Sequence, residues 1–173
     1  MKYFTWLLFS IVFITSCSKD RLPVRFQMSY LNRNIVISAA LNPFESQYYI
    51  FRDIPTDIDE YIRINNVKRS DITSILPRSC TLRNISSNTG LNFLEEVLIR
   101  IYDPNDPDLK YEIFYNDIIP LNAGREIVLY PNERDVKDYL FSDFYTIEIV
   151  LRRFRDAPTE NIDARIDFSF DVR

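Results

Sequence analysis

The sequence contains no histidine, only two glycines and only two cysteines among its 173 residues. Without histidine there is no Ser/His or Cys/His catalytic pair, no histidine-ligated metal and no histidine pH switch. Two glycines are too few for a phosphate-cradling loop or a dinucleotide-binding fingerprint. A formal net charge of -4 argues against a nucleic-acid interface. We therefore expect a protein that is not an enzyme and has no cofactor and no nucleic-acid partner.

What the chain does contain is an ordinary globular composition, with 46% hydrophobic and 27% charged residues. Its first residues differ from this average. Lys2 precedes an almost unbroken apolar run over residues 4–14, which is shorter than the roughly 20 residues of a membrane-spanning helix. A charged start, a short apolar run and then small residues are typical of a secretory signal peptide.

The end of this segment, Ile14-Thr15-Ser16-Cys17, resembles the lipobox of bacterial lipoproteins. The resemblance implies cleavage before Cys17 and acylation of its thiol and amino group by diacylglycerol and palmitate. Ser18, rather than an aspartate, at the next position favours the outer membrane of a Gram-negative cell, on its periplasmic face or at the cell surface. The alternative is an ordinary secretory signal with an incidental cysteine. We expect a signal peptide at 1–16, a lipidated cysteine with a short tether at 17–21, and one domain at 22–173.

The tether predicted after Cys17 is short and contains no Pro- or Ser-rich spacer. Residues 18–21, fully extended, reach roughly 15 Å. We therefore expect the domain to lie close to the membrane surface or against a partner embedded in it. Acylation of Cys17 would leave Cys80 as a lone cysteine, which we interpret as a small buried strand residue. The alternative is an intermolecular disulfide or a reactive thiol.

The body of the chain alternates apolar and polar residues with a period of two, the pattern of half-buried β-strands. This predicts an all-β domain: an antiparallel two-sheet β-sandwich of immunoglobulin-like, Greek-key type, with eight or nine strands and two short helices. The expected strands cover 24–30, 35–40, 47–53, 79–84, 96–102, 111–115, 126–130, 145–151 and 162–173.

Three local features are predicted in more detail. The polar run Asn32-Arg33-Asn34 predicts a turn that joins the first two strands as a hairpin. A helix over 58–62 is expected to be capped by Thr56-Asp57, and a helix over 133–140 by Asn132.

The densest cluster of oxygen ligands is the loop 103–108. Calcium takes six to eight oxygen ligands, and carboxylates at alternating loop positions supply several of them. The spacing does not match an EF-hand, and the two prolines equally favour a rigid, solvated hairpin tip. The calcium-ligand candidates are Asp103, Asn105, Asp106 and Asp108.

Aromatic side chains on the predicted strands are the other candidate binding residues. Most aromatic residues of a sandwich pack in its core, but an outward-facing set forms a platform for sugars or for a protein. The candidates for such a platform are Tyr48, Tyr49, Tyr111 and Tyr115. The basic run 152–155 is interpreted as a solvated strand end, with a phospholipid-headgroup contact as the alternative.

These features favour a non-enzymatic outer-membrane lipoprotein that acts as an accessory, assembly or interaction subunit of a cell-envelope protein complex. The alternative is a surface glycan-binding or adhesin module. An apolar patch at the anchored end would favour the first function, and an exposed aromatic groove would favour the second.

Overall fold

The computed structural model describes residues 22–173. The predicted signal peptide and Cys17 lie outside this range. Eight β-strands and two short helices follow one another, with a single 3-10 turn (Arg69–Asp71) before the third strand. The all-β prediction with two short helices is therefore confirmed. The elements are β1 (Phe26–Ile37), β2 (Gln47–Pro55), α1 (Ile58–Ile64), β3 (Ile75–Asn84), β4 (Leu94–Tyr102), β5 (Tyr111–Asn116), β6 (Glu126–Pro131), α2 (Lys137–Leu140), β7 (Phe144–Phe154) and β8 (Ile162–Val172).

The eight strands form one antiparallel sheet in the order β1-β8-β3-β6-β5-β4-β7-β2. Two four-stranded halves meet where β5 pairs with β6, and only Phe114–Pro131 and Tyr115–Tyr130 are in register there. The expectation of two separate sheets is thus not confirmed, because hydrogen bonds connect both halves. The edge strands are β1 and β2.

The sheet curls over a single hydrophobic core. Along β8, the alternating residues from Ile162 to Val172 point into this core, as their period of two predicts. Phe168 and Phe170 lie 6.4 and 6.2 Å, ring centre to ring centre, from Phe114 of β5. Since β8 and β5 are three positions apart in the sheet, such contacts require strong curvature. Burial of each such ring contributes about 1.5–3 kcal/mol.

The predicted first hairpin is wrong, because residues 26–37 form one continuous edge strand. The register with β8 shifts by one residue between Tyr30 and Arg33, which is a β-bulge. Asn32 takes a left-handed backbone conformation with φ 64, and its N–H donates to the Asp167 carboxylate at 2.8 Å. Asparagine adopts the left-handed conformation more readily than most residues, which makes it common in turns. Here the same property allows Asn32 to form a β-bulge within a continuous strand.

Both predicted helices exist. The first, α1, begins at Ile58 as predicted but lacks the predicted side-chain cap, and the second begins later than predicted. The helix expected over 133–140 is reduced to α2, because Asp135 is used elsewhere: its carboxylate accepts hydrogen bonds from the backbone N–H of Ile75 and of Lys137. At α1, Asp57 has left-handed φ and makes no capping bond. The Thr56 hydroxyl donates to the Ser142 carbonyl instead of capping the helix.

The alternating strand directions give the domain two distinct ends. The connections 56–74, 103–110 and 132–143 lie at the end where Leu22 begins the described chain, and we call this the entry end. The connections 38–46, 85–93, 117–125 and 155–161 lie at the opposite end, which we call the far end. Among the described residues, no helix is both long and apolar enough to cross a membrane.

Candidate binding face of the sheet

A row of five side chains crosses the convex outer face of the sheet, one from each of five neighbouring strands. The pairings that define it are Tyr48 with Val150, Val150 with Leu98, Leu98 with Tyr115, and Tyr115 with Tyr130. We call this set the outer row. Its two ends are open to solvent, since Tyr48 is 57% and Tyr130 58% exposed.

The centre of the outer row is recessed between charged pairs. Leu98 and Val150 are buried, yet they do not belong to the main core cluster. The next outward-facing pairs along β4 and β7 are Glu96–Arg152 on one side and Arg100–Glu148 on the other. The long stems of such side chains cover apolar surface while their charged ends pair with one another.

Both of these glutamates are almost completely buried. Glu148, 3% exposed, receives hydrogen bonds from Lys110 Nζ at 2.6 Å and from Arg100 Nη1 at 3.2 Å. Glu96 pairs with Arg152 and lies 3.3 Å from Arg153 Nε. Because buried charge is costly unless it is paired, these ion pairs fix the side chains that flank the outer row.

A pocket of about 430 Å³ opens at the β6 end of the outer row. The tyrosine rings of Tyr115 and Tyr130 form one corner of it, with their centres 6.1 Å apart and their planes inclined at 51°. Asn116, Asp117 and Ile118 complete the lining. The Asn116 side chain is held from both sides: its amide nitrogen donates to the Val128 carbonyl and its oxygen accepts from the Ile118 N–H.

Two carboxylates belong to this part of the sheet: Glu112, paired with Arg100 across β4 and β5, and Asp117, which follows β5 and lines the pocket. Partial burial raises the pKa of Glu112, and the negative charge of Asp117 raises it further, while Arg100 opposes the change. Asp117 is exposed and forms no ion pair with another described residue. Asp117, which lines the pocket, therefore offers its carboxylate oxygens as hydrogen-bond acceptors.

The structure separates the four predicted aromatic candidates into two pairs. Tyr48 and Tyr115 belong to the outer row, whereas Tyr49 and Tyr111 pack against the hydrophobic core. Alternation alone would place Tyr111 and Tyr115 on the same face. An extra residue in β5, Ile113, shifts the register with β4 and turns Tyr111 to the inner face.

The inward tyrosines have structural contacts. Tyr49 donates from its hydroxyl to the Val36 carbonyl at 3.0 Å, which connects the two edge strands. Tyr111 contacts Tyr139 edge to face, and the Arg134 guanidinium lies 3.6 Å from the centre of its ring. Neither belongs to the outer row.

The loop considered as a calcium site is the turn between β4 and β5. The Asp103 carboxylate accepts hydrogen bonds from the Asn105 backbone and side chain at 2.8 and 2.9 Å, and the Asp106 N–H donates to the Asp103 carbonyl. Within residues 22–173, no three acidic or thiol side chains gather around a point that could hold a metal ion. Asp103, Asn105, Asp106 and Asp108 are thus arranged as a solvated hairpin tip, and the calcium interpretation has no geometric support in this part of the chain.

The basic run 152–155 ends β7, and Arg153 and Arg155 are exposed there as predicted, but its three arginines also make specific contacts. Arg152 and Arg153 pair with Glu96, and Arg155 reaches across the far end. Its guanidinium donates to the carbonyls of Asn92 at 2.8 Å and of Ile119 at 2.6 Å. Cys80, in contrast, is 1% exposed on β3, as expected of a small buried strand residue.

Sequence reasoning missed Tyr130, Glu112 and Asp117. Tyr130 lies in a correctly predicted strand, where its alternation with buried Leu129 and Ile127 indicates an outward side chain. This alternation alone is sufficient to predict that Tyr130 faces outward. The proximity of Tyr130 to Tyr115 cannot be predicted from alternation, because it depends on the pairing of β6 with β5.

No protein-family model and no curated protein matches the chain. Among solved structures, a chain from the Kashmir bee virus empty particle at acidic pH is similar over 87% of this chain and 93% of its own length. The two sequences are 9% identical and the TM-score is 0.32. A likeness at this TM-score carries no argument about function.

Proposed function

We propose that this protein is a non-enzymatic lipoprotein of the outer membrane, anchored by acylated Cys17, whose domain binds another protein of the cell envelope. In this role it serves as an accessory or assembly subunit of a membrane-bound complex. The absence of histidine and of nucleotide-binding glycines supports a binding role rather than catalysis.

The observation that carries this proposal is the position of exposed apolar side chains at the entry end. Leu22, Ile64, Leu109 and Phe144 come from four separate segments and are between 47% and 65% exposed. Large exposed apolar side chains that share one end of a domain are typical of protein-interaction or membrane-proximal surfaces. Phe44, Ile118 and Leu121 are exposed at the far end, so the two ends can be tested against each other.

The predicted anchor orients these two ends. With only residues 18–21 between Cys17 and Leu22, the entry end would stay within roughly 15 Å of the lipid surface. Ile64 and Phe144 would then face the bilayer and any protein embedded in it. The far end would point away from the membrane.

Site-specific photo-cross-linking in intact cells tests this orientation. A photoreactive amino acid replaces Phe144 or Ile64 at the entry end, and Phe44, 96% exposed at the far end, is the matched control. We expect Phe144 and Ile64 positions to give a discrete adduct with one membrane protein, identified by mass spectrometry. The Phe44 position should not give that adduct.

Two results would reject the proposal. One is an adduct from Phe44 with no adduct from either entry-end position. The other is the absence of any cross-linked adduct from all three variants, each recovered as the chain alone after gentle solubilisation. As a second readout, Phe144→Glu should release the same protein from a detergent co-purification, because a charge in an apolar contact is costly.

A further inference from the structure

The pocket between Tyr115 and Tyr130 has a chemistry that differs from the entry end. The rings of Tyr115 and Tyr130 are tilted by 51° rather than stacked, and Tyr130 is 58% exposed while Tyr115 is half-buried. Aromatic faces provide large apolar contact area, and the phenol hydroxyls are hydrogen-bonding groups at its margin. The pocket has a volume of about 430 Å³ and is shallow and open, so it offers contact to one face of a ligand rather than enclosing it.

The polar groups of the pocket select the kind of ligand. Asp117 accepts hydrogen bonds and donates none, so it requires a ligand with donor groups such as hydroxyls. Both ends of the Asn116 amide already form hydrogen bonds with the backbone of Val128 and Ile118. This side chain is therefore fixed in position and is not the main hydrogen-bonding group for a ligand.

The charges on the outer face exclude an anionic ligand. Arg100 and Lys110 are held by Glu148, and Arg152 is held by Glu96. No cation therefore lines the pocket, while Asp117 does. A phosphate or carboxylate would meet repulsion without a compensating partner. The complementary ligand therefore has no anionic group, carries hydrogen-bond donors such as hydroxyl groups, and has an apolar ring face. A neutral, hydroxyl-rich ring meets these requirements.

We propose that this pocket binds a neutral pyranose unit of a glycan, with the sugar ring stacked on Tyr115 and Tyr130 and its hydroxyls donating to Asp117. This goes beyond the protein-binding role proposed for the entry end and does not depend on it. Tyr115, Asn116 and Asp117 share one strand end, and β6 supplies the second ring. Both rings are therefore positioned by the sheet rather than by a flexible loop alone.

Native affinity electrophoresis of the detergent-solubilised full chain tests the proposal. Gels are cast with one neutral polysaccharide each: amylose, dextran, β-glucan, mannan, xylan or galactan. We expect at least one of them to retard the protein. Tyr130→Ala should weaken that binding roughly tenfold, and Tyr130→Phe should bind nearly as well as the original chain because the ring remains.

The matched control is Tyr48→Ala, since Tyr48 lies in the same outer row with almost the same exposure but three strands from Tyr115. It should leave binding unchanged. Asp117→Ala should weaken binding by severalfold, because it removes the hydroxyl acceptor. The affinity should also be insensitive to salt between roughly 0.05 and 0.5 M, as expected for an uncharged ligand.

Three results would overturn the assignment. The first is no retardation by any of the six gels. The second is equal retardation of the original chain and Tyr130→Ala. The third is loss of a protein cross-link in Tyr130→Ala without any glycan binding, which would make the pocket a protein contact. Because the entry-end cross-links are measured separately with Phe144 and Ile64, failure here leaves that proposal standing.

Discussion

Tyr30 donates a 2.6 Å hydrogen bond from its hydroxyl to the backbone carbonyl of Thr56, and this bond connects the two edges of the sheet. Tyr30 belongs to edge strand β1, and Thr56 directly follows edge strand β2. The Tyr30 ring also lies 5.5 Å from Tyr145 and 5.4 Å from Phe168. Side chains, rather than a further strand pairing, thus close the core between the two edges.

This buried tyrosine pair predicts a loss of stability at alkaline pH. Burial raises the pKa of both Tyr30 and Tyr145, because the phenolate form would be poorly solvated. Below about pH 10 both folded and unfolded chains keep these protons; above it the unfolded chain releases them first. The contribution of these two tyrosines to the free energy of unfolding should therefore be fully present below about pH 10, and it should decrease as the pH rises further.

Urea unfolding midpoints measured between about pH 8 and pH 11 check this prediction. Tyr30→Phe is the control: it should lower stability at pH 8 by about 1 kcal/mol, because the Thr56 carbonyl loses its donor. The urea midpoint of Tyr30→Phe should also fall less steeply with rising pH than that of the original chain, because one buried phenol has been removed. A midpoint that does not change over this range would contradict the expected burial of these phenols.

The second prediction concerns the buried carboxylate of Glu148. Glu148→Gln leaves Lys110 and Arg100 facing each other without their shared anion, so unfolding should become easier by about 3 kcal/mol. Chemical denaturation measures this. The matched control is Glu126→Gln, which breaks a surface pair with Arg83 and should cost less than about 1 kcal/mol. Equal effects of the two variants would show that the buried pair contributes no more than a surface pair.

The third prediction is local to the far end. Arg155 binds the carbonyls of Asn92 and Ile119, and a lysine cannot reproduce this fork geometry. In Arg155→Lys the backbone amide of Ile119, which donates to the Glu95 carbonyl, should exchange hydrogen faster. The amide of Asn132 at the entry end should keep its rate. Uniform acceleration at both amides would indicate global destabilisation instead.

The fourth prediction concerns the thiol of Cys80. Burial raises its pKa well above the usual range, so the native thiol is neither ionised nor accessible. An alkylating reagent should therefore modify the Cys80 peptide only after unfolding, with native labelling slowed by orders of magnitude. Mass spectrometry of that peptide in buffer and in denaturant gives the comparison. Rapid labelling of the native chain would contradict the packing described for β3.

The sequence predicts the strands well because their alternation is a local property. The segments 47–53 and 96–102 fall inside β2 and β4, and the alternating run that begins at residue 162 is β8. The bulges were not predictable in the same way. Asn32 is a residue type that favours turns, and the extra residue Ile113 does not interrupt the apolar character of its strand. Each bulge nevertheless changes which side chains of its strand face outward.

The outer row could be predicted only in part. The alternation of β2 and β6 indicates that Tyr48 and Tyr130 point outward. Their alignment with Tyr115 depends on the strand order β6-β5-β4-β7-β2, in which the β4–β7 and β7–β2 pairs join strands that are distant in the chain. Long-range pairing of this kind is set by packing of the whole core, which local periodicity does not report.

The proposed orientation depends most directly on the acylation of Cys17. Mass spectrometry of the amino-terminal peptide, combined with membrane fractionation of the original chain and of Cys17→Ala, measures it. We predict a mature chain that begins at an acylated Cys17 and stays in the membrane fraction, and a Cys17→Ala chain without acyl groups that leaves it. An unmodified Cys17, or a Cys17→Ala chain that remains membrane-bound to the same extent, would contradict the lipoprotein interpretation.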